Sequence, residues 1–185
     1  MARVLIPLAD GFEEIEAVSS IDILRRGNVE VVTAAVGGSA SVRGAHGMVM
    51  RADVLLADVA EEDFLAVLLP GGGEGVENLR RCDLLFSILR RHNRDGRLLC
   101  AICAAPVLLV EAGVVAEGLH ITCYPTCQME LDRNWSPAPV VVEGNVVTGQ
   151  GPGTSFLFAL VVLKLLVGET VARKVARGMV TDVLD

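Results

Sequence analysis

Five apolar residues in a row, Leu98-Leu99-Cys100-Ala101-Ile102, follow Gly96-Arg97 and stop at Cys103, after which Ala104-Ala105-Pro106 opens a second apolar stretch. An unbroken apolar run of this length fits a parallel strand covered on both faces better than a half-solvated one. Pro106 suits the first turn of a helix, where its missing N–H would have had no partner and its fixed φ is already helical. Cys103 therefore falls in a sharp strand-to-helix turn, the place where a nucleophile elbow exposes its reactive atom. The first N–H groups of the helix are expected to face the sulfur and favour thiolate.

The same reading covers the rest of the chain. Arg3 to Pro7 is a strand, Ala9-Asp10-Gly11 a turn, and Phe12 to Arg26 a helix stopped by Gly27, with Ile15, Val18 and Ile21 along adjoining parts of one side. Glu30 to Val36 is a second strand, and Ser41 to Ala52 a pair of short strands around Gly44-Ala45-His46-Gly47. An acidic turn over 57–63 leads to a buried strand, Leu65 to Leu69, and then to Pro70-Gly71-Gly72-Gly73-Glu74-Gly75. Helices follow over 76–81 and 83–94, then the central strand with its helix to Glu111. His120 to Tyr124 reads as a strand, 125–139 as irregular or weakly helical, and Val140–Glu143 with Asn145–Thr148 as a hairpin. Gly149-Gln150-Gly151-Pro152-Gly153-Thr154 opens an apolar helix over 155–167, and a last helix runs from Glu169 to Val180. Strands alternating with helices predict a single doubly wound α/β domain over 1–185, a mostly parallel sheet between two helical layers.

Composition narrows the function classes. The chain has 185 residues, 52% of them hydrophobic, yet no apolar run reaches the length of a membrane span. The N-terminus enters a strand directly without a signal-peptide pattern, which predicts a cytoplasmic protein. Net charge is −7 and the 16 Lys and Arg are scattered, so no basic nucleic-acid or membrane face is expected. Cys82, Cys100, Cys103, Cys123 and Cys127 suggest a disulfide or zinc framework. Strand alternation would send Cys100 and Cys103 to opposite faces, however, and a reducing compartment disfavours structural disulfides. No metal and no cofactor is predicted. Neither glycine run follows the first strand as a dinucleotide fingerprint, and no phosphate loop is present.

In an open α/β sheet, ligands lie beyond the carboxyl ends of the strands. Three segments meet that condition: the turn leading to Glu16, the glycines after Leu69, and the elbow at Cys103. Backbone N–H groups of Gly72 and Ala104 would form an oxyanion hole, and Glu16 would give and take the proton. Burial beside the sulfur would keep Glu16 protonated. Glu13, Glu14 and Glu16 otherwise read as dipole complementation at a helix start. Of the three histidines, His92 reads as solvated, His120 as structural, and His46 as a loop residue able to reach a site.

Four motifs in order, Gly11-Phe12-Glu13-Glu14-Ile15-Glu16-Ala17, Leu69-Pro70-Gly71-Gly72, Ala101-Ile102-Cys103-Ala104-Ala105-Pro106 and Gly151-Pro152-Gly153-Thr154, resemble the ThiJ/PfpI superfamily, and most of all its branch of YajL and Parkinson disease protein 7. The resemblance implies a flavodoxin-like fold and usually a homodimer. It implies Cys103 as nucleophile and redox-sensitive thiol, Glu16 as its carboxylic-acid partner, and Gly72 and Ala104 as oxyanion donors. It also implies glutathione-independent conversion of methylglyoxal to lactate, of lyase or hydrolase type, with deglycase action on glyoxal-type adducts of proteins or nucleotides. Chaperone and oxidative-stress roles come with it. Ala104 replaces the histidine of protease-like members, which argues against a peptidase, and the His-x-Glu of class I glutamine amidotransferases is missing. Tyr124 stands where some relatives carry histidine and His46 where arginine is expected. With Gly151 and Pro152 these are candidate substrate contacts. The rival reading is a redox-sensing, chaperone-like protein whose Cys103 oxidises to sulfinic acid without turnover, and the plainest is an interaction domain with a vestigial site.

Overall fold

The computed structural model describes residues 2–184. In chain order the strands are β1 (Arg3–Leu8), β2 (Glu30–Ala35), β3 (Ser41–Arg43), β4 (Val49–Arg51), β5 (Val54–Leu55), β6 (Ala66–Leu69), β7 (Leu98–Ile102), β8 (Val140–Glu143) and β9 (Val146–Gly149). The helices are α1 (Glu14–Arg26), α2 (Gly73–Arg80), α3 (Asp83–Arg94), α4 (Pro106–Glu111), α5 (Ser155–Val167) and α6 (Glu169–Gly178), with 3-10 turns at Leu56–Val59, Pro125–Asn134 and Pro152–Thr154.

Seven strands form one sheet in the order β5-β2-β1-β6-β7-β9-β8, parallel throughout except for the β8–β9 hairpin at one edge. Apolar side chains alternate between its two faces. Val4, Ile6, Leu8, Leu68, Cys100 and Ile102 meet α1, α5 and α6, whereas Leu5, Val67, Leu69, Leu99 and Ala101 meet the layer of α3 and α4. Every residue of β6 is buried, as expected of a strand covered on both sides. Phe158 on α5 is wholly buried, and burying such a side chain contributes roughly 1.5–3 kcal/mol. The mostly parallel α/β architecture thus agrees with the reading of alternating elements.

Four local expectations change. His120 to Tyr124 does not join the sheet and forms only an isolated bridge between Ile121 and Trp135. Its donors are used elsewhere, the Thr122 N–H on Thr148 Oγ1 at 2.9 Å and the Tyr124 N–H on the Cys103 carbonyl at 2.7 Å. With those donors spent, no ladder is open to it. His92 is buried rather than solvated. The Phe64 N–H donates to His92 Nε2 at 3.3 Å, so Nδ1 carries the proton and donates to the Ile88 carbonyl at 2.9 Å. The stretch read as an acidic turn over 57–63 opens within a 3-10 turn, Leu56–Val59, and is preceded by a short edge strand, β5, that the sequence reading leaves unassigned. Asp53 accounts for this: its Oδ2 accepts from Thr33 N and Oγ1 at 2.9 and 2.7 Å, pinning the segment to β2. Finally, Cys103 packs in the same layer as Cys100. The chain leaves β7 with Cys103 at φ +64, which ends strand alternation one residue before that cysteine.

Candidate active site

The carboxyl ends of β1, β6 and β7 lie side by side at the centre of the sheet. The turn after β1 delivers α1 and Glu16, β6 delivers Gly71 and Gly72, and β7 delivers Cys103. Cys103 sits in a left-handed conformation that costs a non-glycine residue roughly 1–3 kcal/mol. Two backbone bonds hold it there, its N–H on the Gly149 carbonyl at 2.9 Å and its carbonyl on the Tyr124 N–H at 2.7 Å.

Glu16 is completely buried. Its Oε2 accepts from the Gly71 N–H at 2.7 Å, while Oε1 has no hydrogen-bond partner. Gly71 is the point where acid and thiol meet: a Cβ there would lie 2.7 Å from Cys103 Cβ and 2.8 Å from Glu16 Oε2. Only glycine fits that gap. Burial pushes the Glu16 carboxyl up to about 7, against the downward pull of the Gly71 N–H and the Cys103 thiol. The Cys103 thiol is pushed up strongly, first by burial and then by the Glu16 charge, while N–H groups of Ala104 and Gly72 hydrogen-bond to the sulfur and pull the other way. The thiolate expected from the helix start is therefore opposed while Glu16 is ionised. A proton on Glu16 removes that repulsion and supplies a donor, so acid and thiol behave as a pair sharing one proton.

Gly72, Ala104, Glu16 and Cys103 are thus brought together. Tyr124, Gly151 and Pro152 form a separate wall: with Pro125, Gln150 and Thr154 they line a cleft of about 270 Å³ that includes no residue of the elbow, although the Tyr124 N–H donates to the Cys103 carbonyl. A larger cleft of about 350 Å³, lined among others by Asp10, Gly37, Asn78 and Arg81, includes no residue of the elbow. His46 does not touch Cys103. Its Nδ1 lies 2.9 Å from Glu14 Oε2 and 3.7 Å from Glu13 Oε2, and its ring faces solvent. Glu14 Oε1 also accepts the N–H groups of His46 and Met48 at 2.8 and 3.3 Å. Burial raises the Glu14 carboxyl, yet these hydrogen bonds outweigh it and leave the group lowered.

Dipole complementation accordingly understates this helix start. Glu16 serves the thiol and Glu14 anchors the 44–48 turn. Sequence reasoning missed the Glu14 anchor, and its one available signal was two adjacent acids opposite a histidine. It also missed the role of Gly149, whose carbonyl fixes the elbow.

The model of the DJ-1/PfpI family matches residues 2–165. Protein DJ-1 homolog B of Arabidopsis thaliana is 38% identical over 180 residues, 96% of this chain and 41% of that protein. The chain thus spans less than half the length of that relative. A Caenorhabditis elegans protein named glutathione-independent glyoxalase DJR-1.2 is 35% identical over 170 residues, 90% of this chain and 89% of that one. Among solved structures, oxidized Toxoplasma gondii DJ-1 superimposes with a TM-score of 0.95 at 34% identity, covering 98% of this chain and 99% of that one. With the family motifs on the three central strand ends and the match running from β1 into α5, the chain belongs to the DJ-1/PfpI family.

Proposed function

We propose that this protein is a glutathione-independent glyoxalase in which Cys103 converts methylglyoxal or glyoxal to the 2-hydroxy acid. The observation that carries the reading is the meeting of acid and thiol at Gly71, whose N–H holds Glu16 Oε2 at 2.7 Å and where an added Cβ would lie 2.7 Å from Cys103 Cβ. The Cys103 thiolate adds to the aldehyde carbon, and its oxygen is received by the two N–H groups as a hemithioacetal. Glu16 removes the proton from C1 and returns it to C2, while the hydroxyl proton of the hemithioacetal passes to the C2 oxygen, so C1 becomes a thioester and C2 an alcohol. Water cleaves the thioester, releasing lactate and the thiol. The sum is methylglyoxal plus water giving lactate, with no external oxidant.

The cleft walled by Tyr124, Gly151 and Pro152 is the proposed substrate approach. Attack on aldehyde adducts of proteins or nucleotides extends the same chemistry to deglycase action and to a part in carbonyl and oxidative stress. A cytoplasmic homodimer completes the reading. Ile15 and Val18 on α1 and Met48 and Val49 beside it are exposed apolar residues available for a second copy, and among the described residues no helix is long and apolar enough to cross a membrane.

The test is lactate formation from methylglyoxal without glutathione. Turnover lost in Cys103→Ser supports the reading, and an unchanged rate in that variant overturns it. A second reading, a redox sensor, draws on the same donors, which suit the oxygens of a sulfinate. Mass spectrometry after mild peroxide separates the two: oxidation of other cysteines before Cys103 would rule out the sensor.

A further inference from the structure

Beside the Cys103 site, α1 opens on two adjacent acids that face a histidine from the β3–β4 turn. Glu13 is 9% exposed and Glu14 5% exposed. Glu14 accepts the N–H groups of the turn on Oε1, while its Oε2 faces His46 Nδ1 at 2.9 Å. Glu13 differs. It stands at the N-cap position yet its side chain caps no N–H of α1. Its carboxylate makes no hydrogen bond among the described residues and is aimed at His46 Nδ1, 3.7 Å away. No lysine or arginine pairs with either acid among the described residues, and the partner both share is an exposed imidazole. A nearly buried carboxylate without a hydrogen bond is costly unless something else compensates its charge.

We infer that Glu13, Glu14 and His46 form a binding site for a divalent transition cation of the zinc class. One ligand atom from each lies within 4.8 Å of the others. In a tetrahedral site with bonds of about 2.0 Å, neighbouring ligand atoms stand roughly 3.3 Å apart, which is bracketed by the observed 2.9 and 3.7 Å from His46 Nδ1. Two carboxylates and one neutral imidazole balance a dication and leave a fourth position to solvent. The nitrogen ligand selects zinc-like ions over calcium and magnesium, which prefer all-oxygen shells. Binding replaces the Nδ1 proton of His46, which is released, and no electron moves.

The site is also built rather than incidental. A Cβ on Gly44 would lie 2.3 Å from Glu14 Oε1, so glycine at that position lets the carboxylate reach the turn that carries His46. The inference is independent of the glyoxalase reading, because its readout is metal uptake.

Zinc chloride is titrated into metal-free full-length protein by calorimetry, in wild type and in a Cys103→Ser background that removes the neighbouring thiol. One zinc per chain is expected in both. Glu13→Gln, nearly isosteric, and His46→Gln, at an exposed ring, are expected to weaken binding at least about tenfold with circular dichroism unchanged. Cobalt bound in place of zinc should give tetrahedral bands without sulfur-to-metal charge transfer. Loss of uptake with Cys103→Ser, a thiolate charge-transfer band, unaltered affinity in both ligand variants, or no saturable uptake would each overturn the site.

Discussion

Glu16 Oε2 accepts a 2.7 Å hydrogen bond from the Gly71 N–H, and this bond fixes an acid from the first helix against the strand end that faces the Cys103 thiol. One oxygen is thereby committed to position, while the other is buried without a hydrogen-bond partner. Position and proton transfer are separable functions of the same carboxyl group, and amide substitution distinguishes them.

Glu16→Gln keeps an acceptor for Gly71 and fills the same volume, but it can neither carry nor accept the shuttled proton. The variant is expected to fold with undiminished stability, since a buried carboxyl is exchanged for a neutral amide. Its methylglyoxal turnover is expected to fall by about a hundredfold or more, the usual contribution of a positioned acid–base group. Lactate assays beside a urea melt check both halves. Full turnover in the amide variant would exclude Glu16 as the shuttle.

Gly71→Ala tests the meeting point itself. The added methyl would come within 2.7 Å of Cys103 Cβ and 2.8 Å of Glu16 Oε2, so one of the two must move. Displacement of a reacting group by about 1 Å costs on the order of a hundredfold in rate. The expected result is a drop in kcat larger than any change in melting temperature, together with slower alkylation of Cys103 by iodoacetamide. Wild-type kinetics would mean that acid and thiol are not coupled through this contact.

Much of this was legible in the residue order because it depends on local rules. The run from Leu98 to Ile102 fitted a covered strand better than a half-solvated one, and Pro106 located the helix start, so the elbow at Cys103 followed. Gly72 and Ala104 could be placed at strand ends, and Glu16 in the helix after the first strand, by topology alone. What escaped depended on partners distant in sequence. Residues 120–124 have strand-like composition, yet their N–H groups are taken by Thr148 and Cys103. His92 sits in a polar helix end, and Phe64 and Ile88 bury it. The turn that holds His46 depends on Glu14, 32 residues earlier, a pairing that no local period encodes.

Asp53 offers a test of the sheet edge. Its Oδ2 accepts from Thr33 N, Thr33 Oγ1 and Arg25 Nη2 at 2.9, 2.7 and 3.3 Å. Burial raises this carboxyl, but the Thr33 bonds and Arg25 outweigh it, so the net shift is downward from 3.8. A lowered carboxyl contributes stability that is complete above that value and is lost as pH falls below it. Asp53→Ala leaves the Thr33 donors without their acceptor and is expected to cost about 1–3 kcal/mol, with faster amide exchange confined to β5 and the adjoining end of β2. Exchange that accelerates across the whole sheet instead would show that the edge is not held locally.

His92 gives the molecule a pH dependence on the neutral side of acid. Burial disfavours its imidazolium, Arg91 adds to that, and the Ile88 carbonyl opposes it, leaving the group below its ordinary 6.5. The unfolded chain therefore takes up a proton near pH 6.5 that the folded chain refuses. Stability from this residue is complete above that pH and declines as pH falls below it, with a limiting slope of about 1.4 kcal/mol per pH unit. Glu16, held up to about 7, and His46, raised by Glu14, titrate in the same window with the opposite sign. The expected decline is therefore read as the stability of wild type minus that of His92→Gln in urea unfolding between pH 7.5 and 5.5, whatever the variant's own cost in stability. That difference isolates His92 from Glu16 and His46, which titrate in the same window, and from the carboxylates that titrate further down. Parallel curves would mean that imidazolium is accommodated in the fold, and that the bond from the Phe64 N–H to Nε2 gives way without consequence.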